Sequence, residues 1–191
     1  MKLSTKILNF KIFKKVEEDL KNPKTKYPYC IGIDGATATG KTILSKILKE
    51  RIEKKFKIKT EIFQLDSLLK NRLFREKQVS ILKKNKQKFF YEAEEHMNFD
   101  KIKKLINKIK DLKLSKIKSN YVTLKNLYSR EKNGSCTDQK TFDLSQVIVF
   151  EGHYTSQNLI SDYLNLNIIL FANRNEILKR KITRSEKYRN S

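Results

Sequence analysis

The stretch Gly35-Ala36-Thr37-Ala38-Thr39-Gly40-Lys41-Thr42 constrains this chain more than any other. It follows Tyr29-Cys30-Ile31-Gly32-Ile33-Asp34, a short apolar run of the kind found in buried parallel strands. It precedes Thr42 to Lys55, where apolar and lysine positions alternate at helical spacing. A strand that turns through glycines straight into a helix aims successive backbone N–H groups at one point. The positive end of the helix dipole lies at that same point, so the turn is built to hold an anion. Glycine at 35 and 40 lets the backbone turn where a side chain would block the phosphates. Lys41 would then reach the β- and γ-phosphates of ATP, and the Thr42 hydroxyl would be a ligand for Mg²⁺. Spacing alone arises by chance in long chains; the setting between strand and helix is what makes it informative.

The remaining sequence supplies a scaffold around that loop. Residues Ile7 to Leu20 carry apolar side chains at helical spacing between lysines and glutamates, which predicts an amphipathic helix covering a sheet, and Asn22-Pro23-Lys24 breaks it. A second strand is expected over Thr60 to Leu65. Glu76 to Lys113 reads as mostly helical, with Ile102, Leu105, Ile106, Ile109 and Leu112 on one face. Tyr121 to Phe142 is polar, carries the turn Lys132-Asn133-Gly134-Ser135, and resists assignment. Val147 to Phe150 and Asn167 to Phe171 are further buried-strand signals, and a basic helix, Glu176 to Lys187, ends the sequence. Strands separated by helices indicate an α/β fold, a parallel sheet with helices on both faces.

Length and composition narrow the class. The 191 residues suit one domain with a substantial core. No run reaches the roughly 18 apolar residues of a membrane-spanning helix, and the first residues lack the apolar stretch of a signal peptide. Two cysteines, Cys30 and Cys136, give no disulfide framework and fit a reducing cytoplasm, so a cytoplasmic location without membrane contact is expected. Lys+Arg 43 against Asp+Glu 21 gives a net charge of +22. One reading is a nucleic-acid-binding surface. The other, favoured here, is a lysine-rich bias, because the lysines are spread over most predicted helices and arginine, the usual base reader, is scarce. A positive field would suit an anionic nucleotide in either case.

Neither an Asn-Lys-x-Asp element for guanine nor a strand ending in Asp-Glu is present; the relevant strand ends in Phe150-Glu151-Gly152. That leaves the small-molecule kinases. Four segments, in order, resemble the uridine kinase and phosphoribulokinase family of P-loop proteins. They are Ile31-Gly32-Ile33-Asp34-Gly35 entering the loop, Gln64-Leu65-Asp66-Ser67, Val147-Ile148-Val149-Phe150-Glu151-Gly152, and Leu178-Lys179-Arg180-Lys181-Ile182-Thr183-Arg184. The resemblance implies one P-loop kinase domain over 1–191, with an N-terminal helix and linker at 1–26 and a core at 29–191 whose lid helix lies near 176–187. Many members continue with another helix and strand beyond the point where this sequence stops. The implied reaction moves the γ-phosphoryl of ATP to a hydroxyl of a small molecule, a nucleoside such as uridine or cytidine. The alternatives are another acceptor (a sugar, a vitamin precursor or a nucleotide), a nucleic-acid-binding NTPase, and a nucleotide-binding regulator without catalysis. Homo-oligomerisation stays open.

Asp66, at a strand's C-terminal end, is the candidate base for the acceptor's proton and a holder of hydrated Mg²⁺; its plainer reading is a helix N-cap. Glu151 ends a buried strand near the same edge, where a carboxylate is costly unless paired or wet, and is the second candidate for Mg²⁺. His153, two residues on, faces either that site or the surface. Arg180 and Arg184 share a helix face and would close over ATP as the lid, or form a solvated basic face. For the acceptor, the resemblance points to the stretch between Asp66 and Arg130. Glu95 lies in Glu94-Glu95-His96, where no proline follows the histidine, and Arg130 lies in Tyr128-Ser129-Arg130, where tyrosine replaces the family's histidine. Both stand as substrate candidates beside the reading as ordinary exposed side chains.

Overall fold

A computed structural model describes residues 3–85, 96–114, 120–129, 132–144 and 146–189. The chain forms two compact units, Met1–Phe63 with Gln146–Ser191, and Gln64–Ser145.

The first unit is built on four strands, β1 (Tyr29–Gly35), β2 (Thr60–Gln64), β5 (Val147–Glu151) and β6 (Leu166–Leu170), in the order β2-β5-β1-β6. β1 runs parallel to both neighbours, with Ile31 opposite Val149 on one side and Leu166 on the other. All five residues of β5 and the first five of β1 are buried. Continuous apolar runs are what a strand covered on both faces requires, and a half-solvated strand would have alternated.

One face of the sheet presents Tyr29, Ile31, Ile33, Val147, Val149 and Ile168. Against it lie Val16 of α1 (Leu3–Lys21) and Leu44, Leu48 and Ile52 of α2 (Lys41–Phe56). The three α2 residues recur every fourth position and so form one stripe on the helix. Each such side chain, fully buried, contributes on the order of 1.5–3 kcal/mol. Ile12, Phe13 and Leu20 of α1 pack at the margin. Glu17 of α1 accepts from Lys21 and from Lys55 of α2, both at 2.7 Å, while Arg51 and Lys55 lie over the Phe13 ring. Apolar stripe and polar staples therefore favour the same docking of α1 on α2. α2 stops where Lys57 turns left-handed (φ 59°) and its N–H closes on the Glu53 carbonyl.

The opposite face is covered by the segment that follows β5, including the single-turn α5 (Asn158–Ser161). Gly32 points this way, and a Cβ there would lie 2.4 Å from Leu164 Cδ1. Asn165 pairs with Cys30 twice, its side chain accepting from the Cys30 N–H and its own N–H donating to the Cys30 carbonyl. α6 (Arg174–Arg189) is the last helix.

The second unit opens with a 3₁₀ turn, Leu65–Leu68, followed by α3 (Arg72–Lys84) and α4 (Phe99–Lys113). Asn71 caps α3 by accepting from the Phe74 N–H at 2.8 Å. Ile102, Leu105, Ile106 and Ile109 of α4 are buried on the face read from the sequence. The stretch that resisted assignment is an antiparallel hairpin, β3 (Tyr121–Ser129) with β4 (Ser135–Asp143), turning at Asn133 and Gly134, both with positive φ. Val122, Leu124, Leu127 and Phe142 are its buried residues, and Leu65, Leu68 and Met97 belong to the same unit's core.

Candidate active site

The phosphate loop leaves β1 at Gly35 and enters α2 at Lys41. Its bends require φ 142° at Gly35 and 104° at Gly40, values open to glycine and strained for other residues. Ala38, at the loop's apex, is also left-handed (φ 66°). Thr39 ties the loop to itself, both its N–H and its hydroxyl reaching the Ala36 carbonyl. Gly40 accepts from the N–H groups of Ile43 and Leu44, which starts the helix.

Lys41 is 9% exposed, and its ammonium donates to the carbonyls of Gly35 (2.7 Å) and Ala36 (2.9 Å). The cation is thus held inside the curl of the loop, where terminal phosphates of a nucleotide would be met. Thr42 donates its hydroxyl to Glu151, whose two carboxylate oxygens lie 3.1 and 3.3 Å away. Glu151 is 6% exposed at the end of the central strand β5. A threonine hydroxyl beside a buried carboxylate is a pair of hard oxygen donors. That set fits Mg²⁺, which keeps most of its waters and takes one or two protein oxygens besides phosphate. Among the described residues, no group of three or more His, Cys, Asp or Glu is arranged to hold a metal without such help.

Asp34 is a site residue that the sequence reading left unassigned. One carboxylate oxygen accepts from the Gly35 N–H at 2.6 Å and the other from the Ser156 N–H at 2.9 Å, tying the start of the loop to the turn after β5. A carboxylate directly before the first loop glycine was the available signal. His153 lies in that same turn, its Nε2 3.1 Å from the Thr37 hydroxyl. Arg180 of α6 donates to the Ala38 carbonyl at 3.0 Å and lies 3.6 Å from Glu176.

The first unit therefore brings Lys41, Thr42, Glu151, His153 and Arg180 to the loop. Arg184 lies on α6, with its side chain outside the described residues. Asp66 belongs to the second unit, inside the 3₁₀ turn directly after β2. It is not an N-cap: Gln64 precedes that turn, and the next helix is capped by Asn71. Glu95 and Arg130 lie outside the described residues.

Comparisons with known proteins bear on the fold and the family. Residues 30–191 match the model of the "Phosphoribulokinase / Uridine kinase family". A possible uridine kinase from Bacillus stearothermophilus superposes with a TM-score of 0.64 at 18% identity, covering 97% of this chain and 91% of that one. A proposed kinase of a fructose transport system from Silicibacter sp. TM1040 superposes at 0.69 with 16% identity, covering 94% and 82%. These structures share the fold, a parallel sheet with helices on both sides. No curated protein matches the sequence. Among the described residues, no helix is long and apolar enough to cross a membrane. The chain belongs to the phosphoribulokinase / uridine kinase family and is a kinase, a phosphotransferase acting on a hydroxyl.

Proposed function

We propose that this chain transfers the γ-phosphoryl of ATP to a hydroxyl of a nucleoside, uridine or cytidine first. The observation that carries the reading is the Lys41–Thr42–Glu151 arrangement at the phosphate loop, a buried lysine held by the loop's own carbonyls and a threonine hydroxyl donated to a buried carboxylate. The nucleoside as acceptor is supported by the family and by the description of the Bacillus stearothermophilus structure.

Each residue then has a task. Lys41 binds the β- and γ-phosphates and offsets the charge that builds as the bond to the leaving oxygen breaks. Thr42 and Glu151 would hold Mg²⁺, which would supply positive charge to offset that of the phosphates. Asp66 takes the proton of the acceptor hydroxyl, and hydrogen bonds hold that hydroxyl in line with the phosphorus. Arg180, already at the loop's apex through the Ala38 carbonyl, turns to the transferred group, with Arg184 on the same helix. Glu95 and Arg130 bind the acceptor. Residues 1–191 would serve as one kinase domain, in a reducing cytoplasm that suits Cys30 and Cys136, neither of which is in a disulfide.

The test is ADP release with ATP and Mg²⁺ against a panel of nucleosides, sugars and vitamin precursors, with Asp66→Asn as control. Turnover stimulated by uridine or cytidine and lost in the variant supports the proposal. Stimulation by a sugar instead keeps the chemistry and replaces the acceptor. ATP binding without stimulated turnover by any acceptor removes the nucleoside reading, and steeply salt-dependent nucleic-acid binding would then explain the +22 charge.

A further inference from the structure

We propose that His153 is a positioning residue of the phosphate loop, holding Thr37 and with it the loop's apex in the shape that receives the nucleotide; this rests on the ATP-binding reading above. The apex needs such support. The loop's two glycines stand at its ends, 35 and 40, whereas Ala38 adopts φ 66°, a region disfavoured for any residue with a Cβ. The loop's own bonds, from Thr39 to the Ala36 carbonyl, tie its base. The contact on Thr37 comes from 116 residues away, His153 Nε2 to Thr37 Oγ1 at 3.1 Å. Either partner donates in this bond, according to which ring nitrogen carries the proton, and no proton transfer is involved.

The imidazole is delivered by a turn that is itself fixed to β1, the strand that delivers the loop. The Gly152 N–H donates to the Ile33 carbonyl at 3.2 Å and the Ser156 N–H to Asp34 at 2.9 Å. Asn167 of β6 donates to the Ser156 hydroxyl at 3.1 Å. Between these anchors Gly152 and Tyr154 both take positive φ, 152° and 77°, so that the chain doubles back and presents residue 153 to the loop. A non-glycine residue in the left-handed region persists where its surroundings over-determine it, and that is the case for Tyr154. Loop and turn are thus braced against one strand from two sides, with the His153–Thr37 bond as the strut. Its loss would leave the chemistry in place and weaken the capture of ATP.

The experiment is equilibrium ATP binding in the presence of Mg²⁺ by the full chain and by His153→Leu, Thr37→Val and the double variant, with turnover measured alongside. Each single change is expected to weaken ATP binding about two- to tenfold, the span for one side-chain hydrogen bond. The double variant should be no weaker than the worse single, because both remove the same bond. His153→Gln, which keeps a polar atom at similar reach, and Thr37→Ser, which keeps the hydroxyl, should recover most of the affinity. KM for ATP should rise with the dissociation constant while kcat at saturating ATP moves less than the binding does. Single losses that multiply in the double variant, or wild-type affinity in Thr37→Val, would overturn the proposal, and the second result does so even if His153→Leu fails to fold. Absence of ATP binding by the unaltered chain would sink the kinase reading along with it. Coupled binding without turnover on any acceptor would leave the role of His153 standing and remove only the acceptor assignment.

Discussion

Gly35→Ala probes how closely the mouth of the loop is fitted to the neighbouring strand. A Cβ at this position would stand 2.4 Å from the Leu170 carbonyl oxygen, 3.0 Å from Thr39 Oγ1 and 3.2 Å from Leu170 Cβ. Non-bonded heavy atoms settle near ~3.5 Å, so roughly 1 Å of movement has to be found. Gly35 and Leu170 are register partners in the β1–β6 ladder, so the obstructing atom is paired backbone and cannot swing aside. Overpacking of this kind costs about 1–3 kcal/mol. The backbone angle, φ 142°, adds about 1–3 kcal/mol for a residue with a side chain. Gly40→Ala separates the two effects: φ is 104° there too, but a Cβ would meet nothing within 4 Å. The strain is shared and the clash is not, so Gly35→Ala should be the less stable by about 1–3 kcal/mol. Urea unfolding followed by circular dichroism measures this as a difference in midpoint at unchanged slope. If the two variants unfold within about 0.5 kcal/mol of each other, the β1–β6 ladder yields to an added methyl and the argument from its rigidity fails.

Lys41→Met should weaken ATP binding by about tenfold or more, the effect of removing a cation hydrogen-bonded to anionic oxygens, as read by calorimetric titration. Glu151→Gln should raise the Mg²⁺ concentration for half-maximal turnover by about tenfold, and an unchanged Mg²⁺ dependence would remove Glu151 from the metal assignment. Asn71→Ala deletes the cap on Phe74 N–H and should cost about 1 kcal/mol, with faster hydrogen exchange confined to the first turn of α3. Hydrogen bonds from Lys21 and Lys55 lower the Glu17 pKa from 4.5 to about 2. A depressed folded-state value means the stabilisation is complete above the unfolded value and is lost as the pH falls from about 4.5 to about 2. Unfolding midpoints of wild type and Glu17→Gln should therefore converge across that window and stay apart above it.

Much of the first unit was legible because its signals are local. The runs at Tyr29 to Asp34 and Val147 to Phe150 are apolar without interruption, and a strand buried on both faces leaves that mark. The stripe of Leu44, Leu48 and Ile52 marks α2 in the same way. Leu65, read as the last residue of β2, instead begins a 3₁₀ turn, since an apolar side chain is buried equally well in either conformation. The β3–β4 hairpin was hidden because register shifts between Leu124 and Leu127, and again before Tyr128, break the alternation a strand would show. Asn126 lies inside that irregularity with φ 56°. Within the site, the loop announces itself by contiguous residues. The Asp34–Ser156 and Thr37–His153 contacts join positions more than a hundred residues apart, and only the sheet order brings them together.

That sheet order bears on how the chain is made. Both partners of β1, β5 and β6, come from the last quarter of the sequence, and β5 lies between β1 and β2. During synthesis β1 and β2 leave the ribosome early and are not neighbours in the final sheet, and residues 64–145 must be made before the strand between them exists. Until residues 147–170 are made, the apolar Cys30-Ile31-Gly32-Ile33 run lacks the strands it pairs with in the fold. Long-range parallel pairing is slow, and unpaired edges invite association with other chains. The phosphate loop ends at residue 42, and Glu151 and His153 join it only once the chain has been extended past residue 153. A nascent chain thus lacks these partners of the loop until β5 and the turn after it have been made, and ATP can favour the folded state only from that point on.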